Sequence, residues 1–132
     1  MIAIVGERCN DRVSSIPFHE DSYSYKKLKS LGLHWDGAFN VFADDDTYEG
    51  EIIQSKVWIL QSYLEIRYGQ IVLLGRRVID AFCGKGHSFL RKVNKRYYTM
   101  PHPSGLNRWW NSNVNNNKAI NFIKEHKLDG GY

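Results

Sequence analysis

The feature that most constrains this chain is the run Gln70-Ile71-Val72-Leu73-Leu74, set between Gly69 and Gly75. A strand with one wet face alternates apolar and polar residues; four apolar residues in succession predict a strand covered on both faces. Such strands belong to parallel sheets, and parallel neighbours need crossover connections, usually helical. The rest of the chain supplies both kinds of segment. Met1–Val5 is an apolar run ending at Gly6, a second predicted buried strand. Tyr23–Leu31 carries Tyr25, Leu28 and Leu31 at helical spacing and stops at Gly32. Ala38–Phe42 is predicted as a further strand, bounded by Asp36-Gly37 and by Asp44-Asp45-Asp46. Asp46 or Thr47 is placed to cap a helix that directs Ile52, Ile53, Val57, Leu60, Leu64 and Ile66 inward and ends near Tyr68-Gly69. Gly75 opens a helix through Val78, Ile79 and Phe82 to Gly84; Tyr97–Met100 is the fourth strand; Val114–His126 is a last helix with Ala119, Ile120 and Ile123 inward.

Strands separated by helices predict an α/β fold, a three-layer α/β/α sandwich around a central, mainly parallel four-stranded sheet. A chain of 132 residues is one domain, residues 1–132. Sites in such sheets lie beyond the carboxyl ends of the strands. Four segments are expected to meet there: Gly6–Arg12, Asn40–Asp46, Gly75–Arg77 and His102–Arg108.

Charge is segregated along the chain. Residues 1–75 hold seven basic and eleven acidic side chains, net −4, whereas residues 76–108 hold eight basic ones and Asp80 alone as an acid, net +7. A segment of that kind attracts polyanions by displacing their counterions; the alternative is a solvated basic face. No apolar run approaches the roughly 18 residues of a membrane helix. Two cysteines, Cys9 and Cys83, make no disulfide framework and no cysteine metal site, so a reducing, cytoplasmic setting is expected, with no cofactor and no metal. Asp44-Asp45-Asp46 and His19-Glu20-Asp21 have metal-ligand residue types without diagnostic spacing and are read as a capping loop and a pocket rim. Asn115-Asn116-Asn117 is read as a polar helix start.

The chemistry-bearing residues fall at the strand ends. Glu7 can orient water or act as a base, and Arg8 and Arg12 can hold an anion, although a local ion-pair cluster would look the same. Asn40 interrupts an apolar strand, and an amide there offers a donor and an acceptor together, the complement of a pyrimidine edge. In His102-Pro103-Ser104-Gly105-Leu106-Asn107-Arg108 a proline sets a histidine and a serine at a strand end. Gly105 allows close backbone approach, Leu106 is an apolar tip suited to fill the space of an extruded base or to pack beneath its loop, and Arg108 reaches for phosphate. Trp109-Trp110 is either core cover or a stacking platform.

In their order these segments resemble the uracil-DNA glycosylase superfamily. Gly6-Glu7 is similar to its first motif, Pro17-Phe18 to its base-stacking Pro-Phe, and Asn40 falls where it carries a pyrimidine-reading asparagine. Ile71–Gly75 is similar to its third-strand motif, His102-Pro103-Ser104 to its second catalytic motif, and Gly105-Leu106-Asn107-Arg108 to the wedge of its mismatch-specific branch. The resemblance implies a monomeric enzyme that everts a pyrimidine from DNA and cleaves its N-glycosidic bond. It implies Glu7, Asn10 and His102 as catalytic residues, and Gly6, Arg8, Phe18 and Asn40 around the base. Arg12, Gly75, Arg76, Ser104, Gly105, Leu106, Asn107 and Arg108 would lie on DNA. Arg8 and Cys9-Asn10 depart from the usual first motif, and the four cysteines that hold an iron–sulfur cluster in some branches are absent. The chain's small size resembles bacteriophage members, some of which transfer amines to activated 5-hydroxymethyl pyrimidines with loss of pyrophosphate. That chemistry is the alternative expectation; a non-catalytic DNA-binding protein of the same fold is the third.

Overall fold

A computed structural model describes residues 1–7, 20, 22–41, 54–104 and 107–130. The element order is β1 (Ile2–Gly6), α1 (Tyr23–Ser30), β2 (Gly37–Asn40), α2 (Gln54–Arg67), β3 (Gln70–Leu74), α3 (Arg76–Cys83), β4 (Arg91–Lys92), β5 (Tyr97–Met100), a 3-10 turn (Arg108–Asn111) and α4 (Asn113–Glu125). The sheet has five strands in the order β2-β1-β3-β5-β4. The first four are mutually parallel and β4 is antiparallel to β5.

The expected four-stranded sheet is therefore corrected to five. The added strand is two residues long and basic, with both side chains exposed. Nothing in Arg91-Lys92 has a strand's apolar signature; its pairing is imposed by a turn. Asn94 Oδ1 accepts from the backbone N–H of Arg96 (3.0 Å) and Tyr97 (3.1 Å), folding the chain back on β5. Buried Thr99 holds the other end, accepting from Arg91 N–H at 3.1 Å and donating to the Ser88 carbonyl at 2.7 Å.

Alternate residues of the central strands feed two cores, one on each face of the sheet. Ile2, Ile4, Val72, Leu74, Tyr98 and Met100 pack with Leu28 of α1 and with Ala119, Phe122 and Ile123 of α4. Ala3, Val5, Ile71, Leu73 and Tyr97 pack with Val57 and Leu64 of α2 and with Val78, Ile79 and Phe82 of α3. The architecture is three-layered, with α1 and α4 on one face and α2 and α3 on the other. The chain steps from β1 to β2 across one face and returns to β3 across the opposite face in the opposite direction. Those two crossovers share one hand, as parallel sheets require.

One of the inward assignments changes. Ile66 is 81% exposed, because α2 turns only Val57, Leu64 and part of Leu60 to the sheet. Ile120 is partly buried and packs against the core as expected, with Phe122 as a further buried α4 side chain. The second strand spans Gly37–Asn40, earlier than Ala38–Phe42, because its register pairs Ala3 with Gly37 and Gly6 with Asn40. A Cβ at Gly37 would collide with the Tyr68 hydroxyl and crowd the Phe39 ring. Ile52, Ile53 and the proposed Asp46 or Thr47 cap fall outside the described residues. The asparagines heading α4 stitch it to the preceding turn: Asn115 Nδ2 donates to the Trp109 carbonyl at 2.9 Å and Asn116 Nδ2 to the Trp110 carbonyl at 2.7 Å.

Candidate functional site

β1 lies between β2 and β3, so the chain leaves it to one side and later returns to the other. This is the switch point of the sheet, the position at which parallel α/β sheets generally open a crevice between diverging loops. Three of the expected segments meet at it. Glu7 follows β1, and its carboxylate is ion-paired with the guanidinium of Arg77, on the first turn of α3. Gly75 ends β3, and a Cβ built on it would stand 3.2 Å from the Cβ of His102, beyond β5. Its φ of 100° and ψ of 157° lie in a region only glycine enters readily. Gly75 thus brings His102 against the α3 entrance and lets the backbone turn there.

His102 is oriented from several sides. Its ring Nδ1 accepts from the backbone N–H of Ser104 at 3.1 Å. In the neutral ring the proton is therefore on Nε2, leaving an N–H donor. Burial lowers the His102 pKa from its ordinary value, and the negative charge of Glu7 opposes that shift in part. The ring is thus biased toward its neutral, Nε2-protonated form beside a carboxylate. The His102 carbonyl accepts from Asn107 Nδ2 (2.9 Å) and from the indole N–H of Trp110 (2.8 Å). Asn107 closes a turn onto the Ser104 carbonyl at 3.0 Å, and its Oδ1 accepts from Trp109 N–H at 3.1 Å.

The other site residues divide. Gly6 is buried and paired in register with Asn40, and Val41 N–H donates to its carbonyl at 2.9 Å. Asn40 is half-buried at the same sheet edge as His102. It stands three strands away, about 14 Å at ordinary strand spacing. Ser104 is half-buried in the His102 loop and Arg108 is exposed just after it. Arg76 turns away from Glu7: its guanidinium stacks over Phe89 (4.6 Å), donates to the His87 carbonyl and faces Asp80 (3.7 Å). Asn107 has its amide engaged inside the loop rather than offered outward. Arg8, Asn10, Arg12, Phe18, Gly105 and Leu106 lie outside the described residues.

Arg77 and Trp110, noted in the sequence only as part of the Gly75–Arg77 segment and of the Trp109-Trp110 pair, take specific places in the fold. Arg77 is the cation at the crevice, and helical geometry is the signal that finds it. With Val78, Ile79 and Phe82 inward, Arg76 and Asp80 share one flank at i, i+4, and Arg77 is turned about 100° from it. Trp110 is buried and holds the His102 carbonyl, so the core-cover reading is the one that applies to it. Among the described residues, no three His, Cys, Asp or Glu side chains gather to hold a metal ion. No helix among them is long and apolar enough to cross a membrane. No family model matches the chain, and none of the curated proteins compared with it matches its sequence.

Proposed function

We propose that this protein everts a pyrimidine nucleotide from DNA and cleaves its N-glycosidic bond at the crevice beyond β1, β3 and β5. The observation that supports the reading is a His102 biased to its neutral, Nε2-protonated form within the electrostatic reach of Glu7, whose carboxylate is ion-paired with Arg77. Cleavage of this bond leaves negative charge on the departing base and positive charge on the sugar. A fixed N–H donor stabilises the first, and a carboxylate stabilises the second or positions the attacking water. The proton on Nε2 can be shared with the base oxygen without a prior protonation step. Asn40, at the same edge, would read the pyrimidine edge, and the +7 segment would hold the phosphates. This is the chemistry of a uracil-DNA glycosylase-like fold.

Base-modifying transfer is the second reading, favoured by Arg77. A guanidinium at the crevice suits a pyrophosphate leaving group as well as it suits Glu7.

The test is incubation with duplexes containing uracil, 5-hydroxymethyluracil or a mismatch, followed by alkali and by mass spectrometry. Alkali-labile abasic sites, lost in His102→Ala and Glu7→Gln, are the expected result. Pyrophosphate release with an alkali-stable backbone, seen with pre-activated hydroxymethyl substrate and an amine, would transfer the assignment to the second reading. Turnover of neither kind, with salt-sensitive DNA binding intact in both variants, would leave a binding protein.

A further inference from the structure

A shallow cavity of about 360 Å³ opens on the flank of α3 away from Glu7, lined by Arg76, Asp80, Lys85, Gly86, His87 and Ser88. Its wall is built before any ligand arrives. Arg76 is clamped by the Phe89 ring, the His87 carbonyl and Asp80, yet its side chain is still 46% exposed. Such an arginine presents its remaining N–H donors with much of the ordering cost already met. Lys85 adds an exposed second cation. Asp80 is the one acidic group in the wall; it faces Arg76 and offsets one charge, leaving the cavity net positive through Lys85. The His87 ring is turned so that Nε2 meets the Cys83 carbonyl at 3.1 Å. Gly86 has a φ of 97° with no atom within 4 Å of where a Cβ would stand, so a ligand can approach the backbone closely. Among the described residues, the backbone N–H groups from Lys85 to Ser88 donate to no protein acceptor. Arg76 directly follows Gly75, the residue packed on His102.

We propose that this cavity is a phosphate site, and that the phosphate it takes is a backbone phosphodiester of the DNA strand beside the nucleotide held at His102. The choice of DNA as the source rests on the function proposed above; the phosphate chemistry rests on the cavity alone. Free inorganic phosphate is the other source of the same group.

The experiment titrates the ¹⁵N-labelled full chain with inorganic phosphate and, separately, with an unmodified duplex. Duplex affinity is then measured against salt for the native chain, Lys85→Ala and Arg76→Gln. Saturable shifts of the 85–88 amides in both titrations are expected, with duplex affinity about tenfold weaker in Arg76→Gln. The slope of log affinity against log salt should flatten by about 0.9 in each variant that loses a phosphate contact. Lys85 is exposed, so its variant keeps the test valid if Arg76→Gln folds poorly. Shifts with phosphate but none with duplex would overturn the DNA source and leave free phosphate as the ligand. Duplex binding with unchanged affinity and slope in both variants would overturn the site while sparing the proposed function. No amide shift in either titration would overturn the site as well.

Discussion

His102 shows how little a residue's identity says until its neighbours are known. Nδ1 is occupied by Ser104 N–H and burial lowers the ring's pKa, so the neutral form persists below the ordinary value of 6.5. The acid limb of any His102-dependent activity should therefore fall below pH 6.5, and a ¹⁵N titration of the ring should place Nδ1 unprotonated at neutral pH. A protonated Nδ1 at pH 7 would remove the donor role argued for Nε2. Gly75 is the second test at this scale. Gly75→Ala forces a side chain into a glycine-only conformation, costing about 1–3 kcal/mol. It also pushes a methyl onto His102, so turnover should fall further than stability alone explains. Chemical denaturation and a kcat measurement on the same sample separate the two. His102 and Gly75 were legible as candidates because a histidine between prolines and a glycine after a buried strand stand out in a sequence, and the fold packs the two together. The roles of Asn107 and Trp110 were not, because a shared acceptor, the His102 carbonyl, exists only in the folded loop.

Helices and strands repay the same comparison. β3 spans Gln70–Leu74 and β5 Tyr97–Met100, the ranges their apolar runs predicted, because burial on both faces leaves a continuous signal. α3 likewise buries Val78, Ile79 and Phe82. α2 was less legible: its apolar side chains are spread nearly all round the helix, so the expected inner set held for Val57, Leu60 and Leu64 and failed for Ile66. Leu64 is fully buried while Trp58, Ile59 and Ile66 are mostly exposed. Leu64→Ala should cost about 2–5 kcal/mol in urea unfolding, whereas Ile66→Gln should change stability by less than about 0.5 kcal/mol. Equal losses would mean that the helix is rotated from the arrangement described. β4 was invisible for the opposite reason, since its pairing depends on Asn94 and Thr99 and not on its own two residues. Thr99→Val removes the hydroxyl that serves both Ser88 and Arg91. It should cost about 1–3 kcal/mol, with faster amide exchange at Leu90 and Arg91.

At the level of the whole molecule, two groups among the described residues make stability fall on acidification. The folded His102 pKa is lowered, so unfolding takes up a proton; its contribution is complete above about pH 6.5 and is lost as pH falls below that. The Asp36 pKa is lowered, first by the Ile2 N–H bonded to its carboxylate (2.8 Å), while burial opposes and His34 adds to the effect. Its contribution is present above the ordinary carboxylate value of 3.8 and disappears as pH falls through the folded value. Thermal midpoints should therefore decline in two stages on acidification, the first setting in below pH 6.5 and absent in a His102→Gln variant.

What the sequence determined by itself was the layered α/β architecture and the parallel core strands, because apolar periodicity and chain order are local properties. It also located the basic third of the chain. The tertiary structure alone decided which cation faces which partner. Arg77 goes to Glu7, Arg76 to Asp80 and His87, and Arg96 to the carbonyls of Glu65 (2.6 Å) and Tyr68 (3.0 Å) at the end of α2. Three arginines of identical chemistry take three unrelated roles, because a long side chain's partner is set by the angle at which its backbone enters the packed layers, and that angle is fixed by contacts remote in sequence.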